Sequence, residues 1–171
     1  GAGIGKTSLA ATFPSPIFIR AEDGLSSIPT DRMPDAFPLI QNADDVYHQI
    51  TALLNEEHPY KTVVFDSVSK LDRIFIDEIT KGNASAKALA LALGGYGAGY
   101  QALSSMHGRV RKGCQLLVDK KDMNIVFLAH AELTTVDLPD SEPYQQYGLK
   151  MEKKSQSHYV DDCDFVGFLR L

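Results

Sequence analysis

Short runs of apolar and β-branched residues alternate along the chain with stretches in which apolar positions recur every three or four residues. Ile17-Phe18-Ile19-Arg20, Thr62-Val63-Val64-Phe65-Asp66 and Asn124-Ile125-Val126-Phe127-Leu128-Ala129 lack polar alternation, the pattern of strands buried on both faces. Between the first two, Val46, Ile50, Leu53 and Leu54 share one helical face. That helix starts at Asn42, an N-cap residue, with Asp44 and Asp45 in the first turn. Val68, Leu71, Ile74, Phe75, Ile76 and Ile79 predict a second helix that stops near Gly82. Tyr100 to about Lys121 predicts a long amphipathic helix interrupted at Gly108 and Gly113, and Lys6 to Thr12 a short one closed by Pro14 and Pro16.

The remaining stretches are less regular. Ser26 to Pro38 holds Pro29, Pro34 and Pro38 and reads as an irregular connection, with a short edge strand over Phe37 to Ile40. The Ala-, Leu- and Gly-rich run from Asn83 to Gly99 reads as a mobile segment. Its glycines are not a second phosphate loop, because no Gly-Lys pair follows. Leu133–Val136 and Tyr147–Met151 are expected to pair around a turn at Pro139-Asp140-Ser141, and Asp164 to Leu171 to form a terminal strand.

Strands alternating with helices imply an α/β fold with a mainly parallel sheet covered on both faces. Sites on such sheets lie at the carboxyl ends of the strands. Here those ends carry Glu22, Asp66 and His130.

The first residues, Gly1-Ala2-Gly3-Ile4-Gly5-Lys6-Thr7-Ser8, match the closing part of the phosphate-loop pattern G-x-x-x-x-G-K-[ST]. Cradling a triphosphate needs consecutive backbone N–H groups turned inward, which glycine permits. Lys6 is placed to reach the β- and γ-phosphates and Thr7 to ligate Mg²⁺. The helix that opens there points its positive end at the phosphates. A nucleoside triphosphate ligand is expected.

Composition narrows the picture from other directions. A chain of 171 residues has room for one domain with a sizeable core. It contains no apolar run long enough to span a membrane. Two cysteines, Cys114 and Cys163, are too few for a disulfide scaffold, which makes a reducing cytoplasm the expected compartment. The net charge of −5 argues against a strongly basic surface, so any nucleic-acid contact must come from local loops. His48, His58, His107 and His158 fit no metal spacing, and the run His158, Asp161, Asp162, Cys163, Asp164 is read against a metal site.

Downstream of a phosphate loop, an acid at the end of a buried strand holds Mg²⁺, which is the reading of Asp66. A carboxylate at Glu22 can polarise a water for attack on the γ-phosphate, although Asp23 beside it competes for the same reading. His130 is either a γ-phosphate sensor or a polar strand terminus.

These residues carry a family resemblance. Phe18-Ile19-Arg20-Ala21-Glu22-Asp23-Gly24 resembles the strand and catalytic Glu of RecA-like recombinases. Val63-Val64-Phe65-Asp66-Ser67-Val68 resembles their Asp-Ser-Val motif, and Phe127-Leu128-Ala129-His130 their polar sensor strand. The sequence is most similar to the phage-type nucleotide-binding branch of RecA-like ATPases, some of which act as single-strand annealing recombinases. That similarity extends through Tyr96-Gly97, Pro143–Tyr147, Lys153-Lys154 and a closing strand over Asp162 to Gly167. It departs from RecA in having His at the sensor position and in lacking the loop's first Gly.

The resemblance implies a RecA-like phosphate-loop NTPase domain over 1–171, three-layered α/β/α, with the first strand missing from the chain. It implies ATP and Mg²⁺ as cofactors, held by the loop residues, Thr7 and Asp66. Glu22, His130 and Lys6 would be the catalytic groups, and Mg-dependent ATP hydrolysis would be coupled to single-stranded DNA in phage recombination or annealing. The protein would act in the cytoplasm, that of the bacterial host if phage-encoded, as a homo-oligomeric ring or filament. A nucleotide-gated interaction module with negligible turnover and a helicase- or packaging-type motor are the other readings. Two segments would face DNA, Gly82 to Gly99 and the one after His130. Tyr96 and Tyr100 would stack on bases and Lys81 and Lys87 meet phosphates, unless these are simply surface-loop residues. Lys150, Lys153 and Lys154 either act in trans on a neighbouring subunit's γ-phosphate or protect a solvated strand edge.

Overall fold

A computed structural model of the chain describes residues 4–83, 85–137 and 142–170. Strands β1 (Pro16–Arg20), β2 (Asp35–Ala36), β3 (Thr62–Asp66) and β4 (Asn124–Leu128) form one parallel sheet in the order β2-β1-β3-β4. The pairing is in step across its centre: Phe18 lies beside Val64, and Val64 beside Val126. All five residues of β3 are buried. The expected α/β architecture with a mainly parallel sheet is therefore present.

Residue alternation assigns each face of the sheet its own core, because successive side chains of a strand point to opposite sides. Ile17, Ile19, Val63 and Phe65 face the larger core. It is built with the helices α2 (Ala43–Asn55), α3 (Val68–Ile79) and α5 (Ala98–Lys121). Phe18 and Val64 face the other side, where Ala10 of α1 (Lys6–Ala10) and Leu25 and Ile28 of the following turn cover them. The side chains of Asn42 and Ser67 cap α2 and α3 by accepting the N–H groups of Asp45 and Lys70.

Several expectations are corrected. The edge strand is Asp35–Ala36 rather than Phe37–Ile40, although the Phe37 and Ile40 N–H groups still bond to the Phe18 and Arg20 carbonyls. The segment read as mobile contains α4 (Ala86–Leu91), capped by Ser85, and a 3₁₀ turn over Ala92–Gly94. Helix α5 is continuous through Gly108 and Gly113. A side chain at 113 would place its Cβ 2.7 Å from Ile50 Cγ2, so Gly113 marks close approach of α5 to α2 instead of a break. β5 (Ala131–Val136) and β6 (Tyr144–Leu149) pair as an antiparallel ribbon, with the expected turn at 139–141 outside the described residues. The terminal strand does not form over 164–170; the last regular element is α6 (Lys153–Val160).

Helix α6 carries few apolar residues and is fastened by polar ones. His107 of α5 lies between Tyr159 of α6, 2.7 Å from Nδ1, and Asp72 of α3, which accepts from Nε2 at 2.9 Å. Asp72 Oδ2 also accepts the Glu152 N–H at 3.0 Å. Burial pushes the Tyr159 hydroxyl well above its usual pKa, so it stays a donor to the imidazole.

Candidate active site at the carboxyl edge of the sheet

The parallel register puts the ends of β1, β3 and β4 at one edge, and the chain turns there are tied to β3. Ala21 and Glu22 both donate their N–H to the Asp66 carbonyl, at 2.8 and 3.3 Å. The Asp66–Ser67 peptide is cis. Glu22, Asp66 and His130, expected to converge from their places at strand ends, do so.

The Thr7 hydroxyl donates to Asp66 Oδ2 at 2.9 Å, joining the phosphate-loop helix to the end of β3. Gly5, which caps that helix, has φ +84° with open space where a Cβ would stand; glycine is there for the backbone angle. Ile4 and Gly5 are the first loop residues described, and Gly1, Ala2 and Gly3 lie outside them. Ser8 is exposed. Burial pushes the pKa of Asp66 above the usual carboxylate range and the nearby Glu22 adds to this, against the Thr7 hydrogen bond and the charges of Lys6 and His130. Two hard oxygen donors beside a raised carboxyl pKa fit a magnesium ion, which would supply the missing positive charge.

Glu22 is the centre of a second cluster. Its Oε1 accepts from His130 Nε2 at 2.7 Å and from the Ser67 hydroxyl. Burial pushes its pKa up, but those two hydrogen bonds and the charges of His130 and Lys6 outweigh it, so Glu22 is held below the usual carboxylate range. Lys6 thus acts electrostatically on both carboxylates. Asp23, which competed with Glu22 in the sequence, lies 3.8 Å from Arg20 instead. Ser69 accepts the His130 backbone N–H at 2.9 Å, and the His130 carbonyl accepts from Lys150 N–H at 2.8 Å. The ribbon β5–β6 therefore starts at His130 and returns to it.

Sequence reasoning missed three residues here. Ser67 and Ser69 bracket the first turn of α3 and hold Glu22 and His130 in place. Ser67 stood in the Asp66-Ser67-Val68 stretch of the resemblance without a role of its own, and Ser69 carried no signal. Gly24 is the third: an added Cβ would stand 2.5 Å from Asp66 Oδ2 and 3.0 Å from Thr7 Oγ1.

An open cleft of about 730 Å³ extends from Glu22 and His130 along α3, past Lys70 and Arg73, to Lys150. Of the residues read as DNA contacts, Tyr96 is fully exposed and Lys81 and Lys87 are exposed. Tyr100 is half-buried, with Lys154 Nζ 5.0 Å from its ring centre. Lys150 and Lys153 are exposed. Among the described residues no three His, Cys, Asp or Glu side chains gather as a metal site, the run from His158 to Asp164 included, and no helix is long and apolar enough to cross a membrane.

A family model described as an AAA domain matches residues 1–171. No curated protein and no solved structure matches the chain. The chain belongs to the AAA domain family, a family of nucleotide-binding ATPases that generally use ATP and Mg²⁺.

Proposed function

We propose that this protein, a member of the AAA domain family, binds MgATP at the carboxyl edge of its sheet and hydrolyses it, and that it acts on single-stranded DNA. The observation that carries the reading is the pairing of two clusters. Thr7 and Asp66 are hydrogen-bonded as two oxygens that can take a cation, and next to them Glu22 is held below its usual pKa by Ser67 and His130.

In this reading the loop from Gly1 to Ser8 cradles the phosphates, with Lys6 at their γ end. Thr7 and Asp66 hold Mg²⁺, which when bound offsets phosphate charge. Oε1 of Glu22 is occupied by its two donors, so Oε2 takes the proton from the attacking water. The new bond joins water oxygen to the γ-phosphorus, the bridging P–O bond breaks, and ADP carries off that oxygen. His130 donates toward the γ-phosphate when it releases Glu22, and the ribbon anchored on its backbone follows.

The DNA reading draws on the resemblance to phage-type annealing recombinases. The cleft carrying Lys70, Arg73 and Lys150, open to the Glu22–His130 pair, and the fully exposed Tyr96 support it. By the same resemblance the protein works as a homo-oligomer, with Lys150, Lys153 and Lys154 presented to a neighbour.

The test is ATP hydrolysis with and without single-stranded DNA at two salt concentrations. Stimulation by DNA that vanishes in Glu22→Gln, with ATP binding retained, supports the proposal. ATP binding without turnover under every condition would replace it with a nucleotide-gated interaction module, and translocation along DNA would replace it with a motor.

A further inference from the structure

We propose that Gly24 is a metal-site residue, kept free of a side chain so that the Thr7–Asp66 pair stays open to a divalent cation; this rests on the reading of that pair above. The backbone does not demand glycine here. Gly24 has φ −87° and ψ −17°, a conformation that every L-residue adopts readily. What glycine provides is space. The nearest atoms to an added Cβ are Asp66 Oδ2 at 2.5 Å and Thr7 Oγ1 at 3.0 Å, the two oxygens of the pair.

The consequence of filling that space can be derived. A contact of 2.5 Å must relax, and the atom that yields most cheaply is the end of the Asp66 side chain rather than the sheet behind it. Asp66 then swings from Thr7, and the cation loses its preset ligands while the fold keeps its core.

The turn is also fastened to the same strand end. Ala21 and Glu22 donate to the Asp66 carbonyl, and the Gly24 N–H donates to the Glu22 carbonyl at 3.1 Å. One short turn therefore sets Glu22 on one side and walls the cation pair on the other. A bulkier residue at 24 disturbs cation binding before it disturbs Glu22, whose partners Ser67 and His130 lie elsewhere.

The experiment titrates a fluorescent ATP analogue into wild type and Gly24→Ala, with magnesium and with chelator. In wild type, magnesium tightens binding. In Gly24→Ala that magnesium-dependent gain falls about 10- to 100-fold, the range for disturbing groups that orient metal ligands, while the variant still binds the analogue with chelator and still unfolds in one cooperative transition. An undiminished magnesium gain in Gly24→Ala overturns the proposal. A wild type with no magnesium gain overturns the cation-pair reading itself, and the two failures are thus told apart. If Gly24→Ala does not fold, Mn²⁺ located by anomalous scattering in wild-type crystals grown with the analogue decides. An ion on the Gly24 side of Thr7 and Asp66 supports the proposal, and an ion on the opposite side overturns it.

Discussion

Nε2 of His130 donates to Oε1 of Glu22 across 2.7 Å, although the two residues are 108 positions apart. They meet because β1 and β4 flank β3 in parallel and end at the same edge. Helix α3 then fixes the pair from below, Ser67 holding the carboxylate and Ser69 the His130 backbone.

That pairing has a pH signature. The His130 hydrogen bond and charge are among the causes that keep Glu22 below its usual pKa, against the opposing push of burial. His130→Ala removes both, so the Glu22 pKa rises. The acid limb of the turnover–pH profile should move to higher pH, and turnover near neutrality should fall on the order of 10²-fold. Profiles of wild type and variant measured side by side check this, and an unmoved acid limb counts against Glu22 as the base.

Asp66→Asn should separate stability from binding. The folded-state pKa of Asp66 is raised, mainly by burial, so its ionised form at neutral pH opposes folding. Removing the charge while leaving an oxygen for Thr7 should raise the magnesium-free melting temperature. Magnesium-dependent nucleotide binding should be lost. A variant that melts lower than wild type without magnesium would contradict the account of the pair.

Two glycines of α5 make opposite predictions. Both gain about 1 kcal/mol of helix propensity on replacement by alanine. At Gly108 the new Cβ would meet His158 Cε1 at 3.5 Å, ordinary contact, so Gly108→Ala should stabilise by up to about 1 kcal/mol. At Gly113 it would meet Ile50 Cγ2 at 2.7 Å, and overpacking of about 1–3 kcal/mol should outweigh the propensity gain. Urea unfolding of the two variants reads the difference in sign.

His158 provides a test by pH of how α6 packs on α5. Burial, and then the charges of His107 and Arg111, lower its folded-state pKa below the usual 6.5, and its Nε2 lies 3.0 Å from the Ser104 hydroxyl. The unfolded chain therefore binds this proton more readily. Stability contributed by His158 is full above about pH 6.5 and is lost as pH falls from there toward the folded-state value. The wild-type minus His158→Gln difference in unfolding free energy, followed across that window, should decline toward acid.

The strands that position the site were legible because burial on both faces leaves an uninterrupted apolar run, as in Thr62 to Asp66. The helix starts at Asn42 and Ser85 differ in this respect: the first heads an amphipathic stripe, and the second heads Ala86–Leu91, whose composition fits helix and loop alike. Helix α6 escaped because Lys153–Val160 has no apolar stripe; its attachment through Tyr159 and His107 depends on partners in α5 and α3. At the site, residue type at strand ends revealed Glu22, Asp66 and His130. Gly24 and Ser69 did not stand out, since their roles consist of space and of a backbone contact that only the folded chain creates.

Asp72 receives both the His107 imidazole and the Glu152 N–H, and this governs what a shortened protein would be. A chain cut before residue 152 would still hold the four described strands of the parallel sheet and the Glu22–His130 cluster. It would also leave a carboxylate and an imidazole lining a slot that Glu152 and Tyr159 no longer close, each deprived of a buried partner at about 1–3 kcal/mol. Such a product would be a substrate for cellular proteases before it was a catalyst, so α6 protects the Glu22–His130 cluster from a distance, by keeping that slot closed.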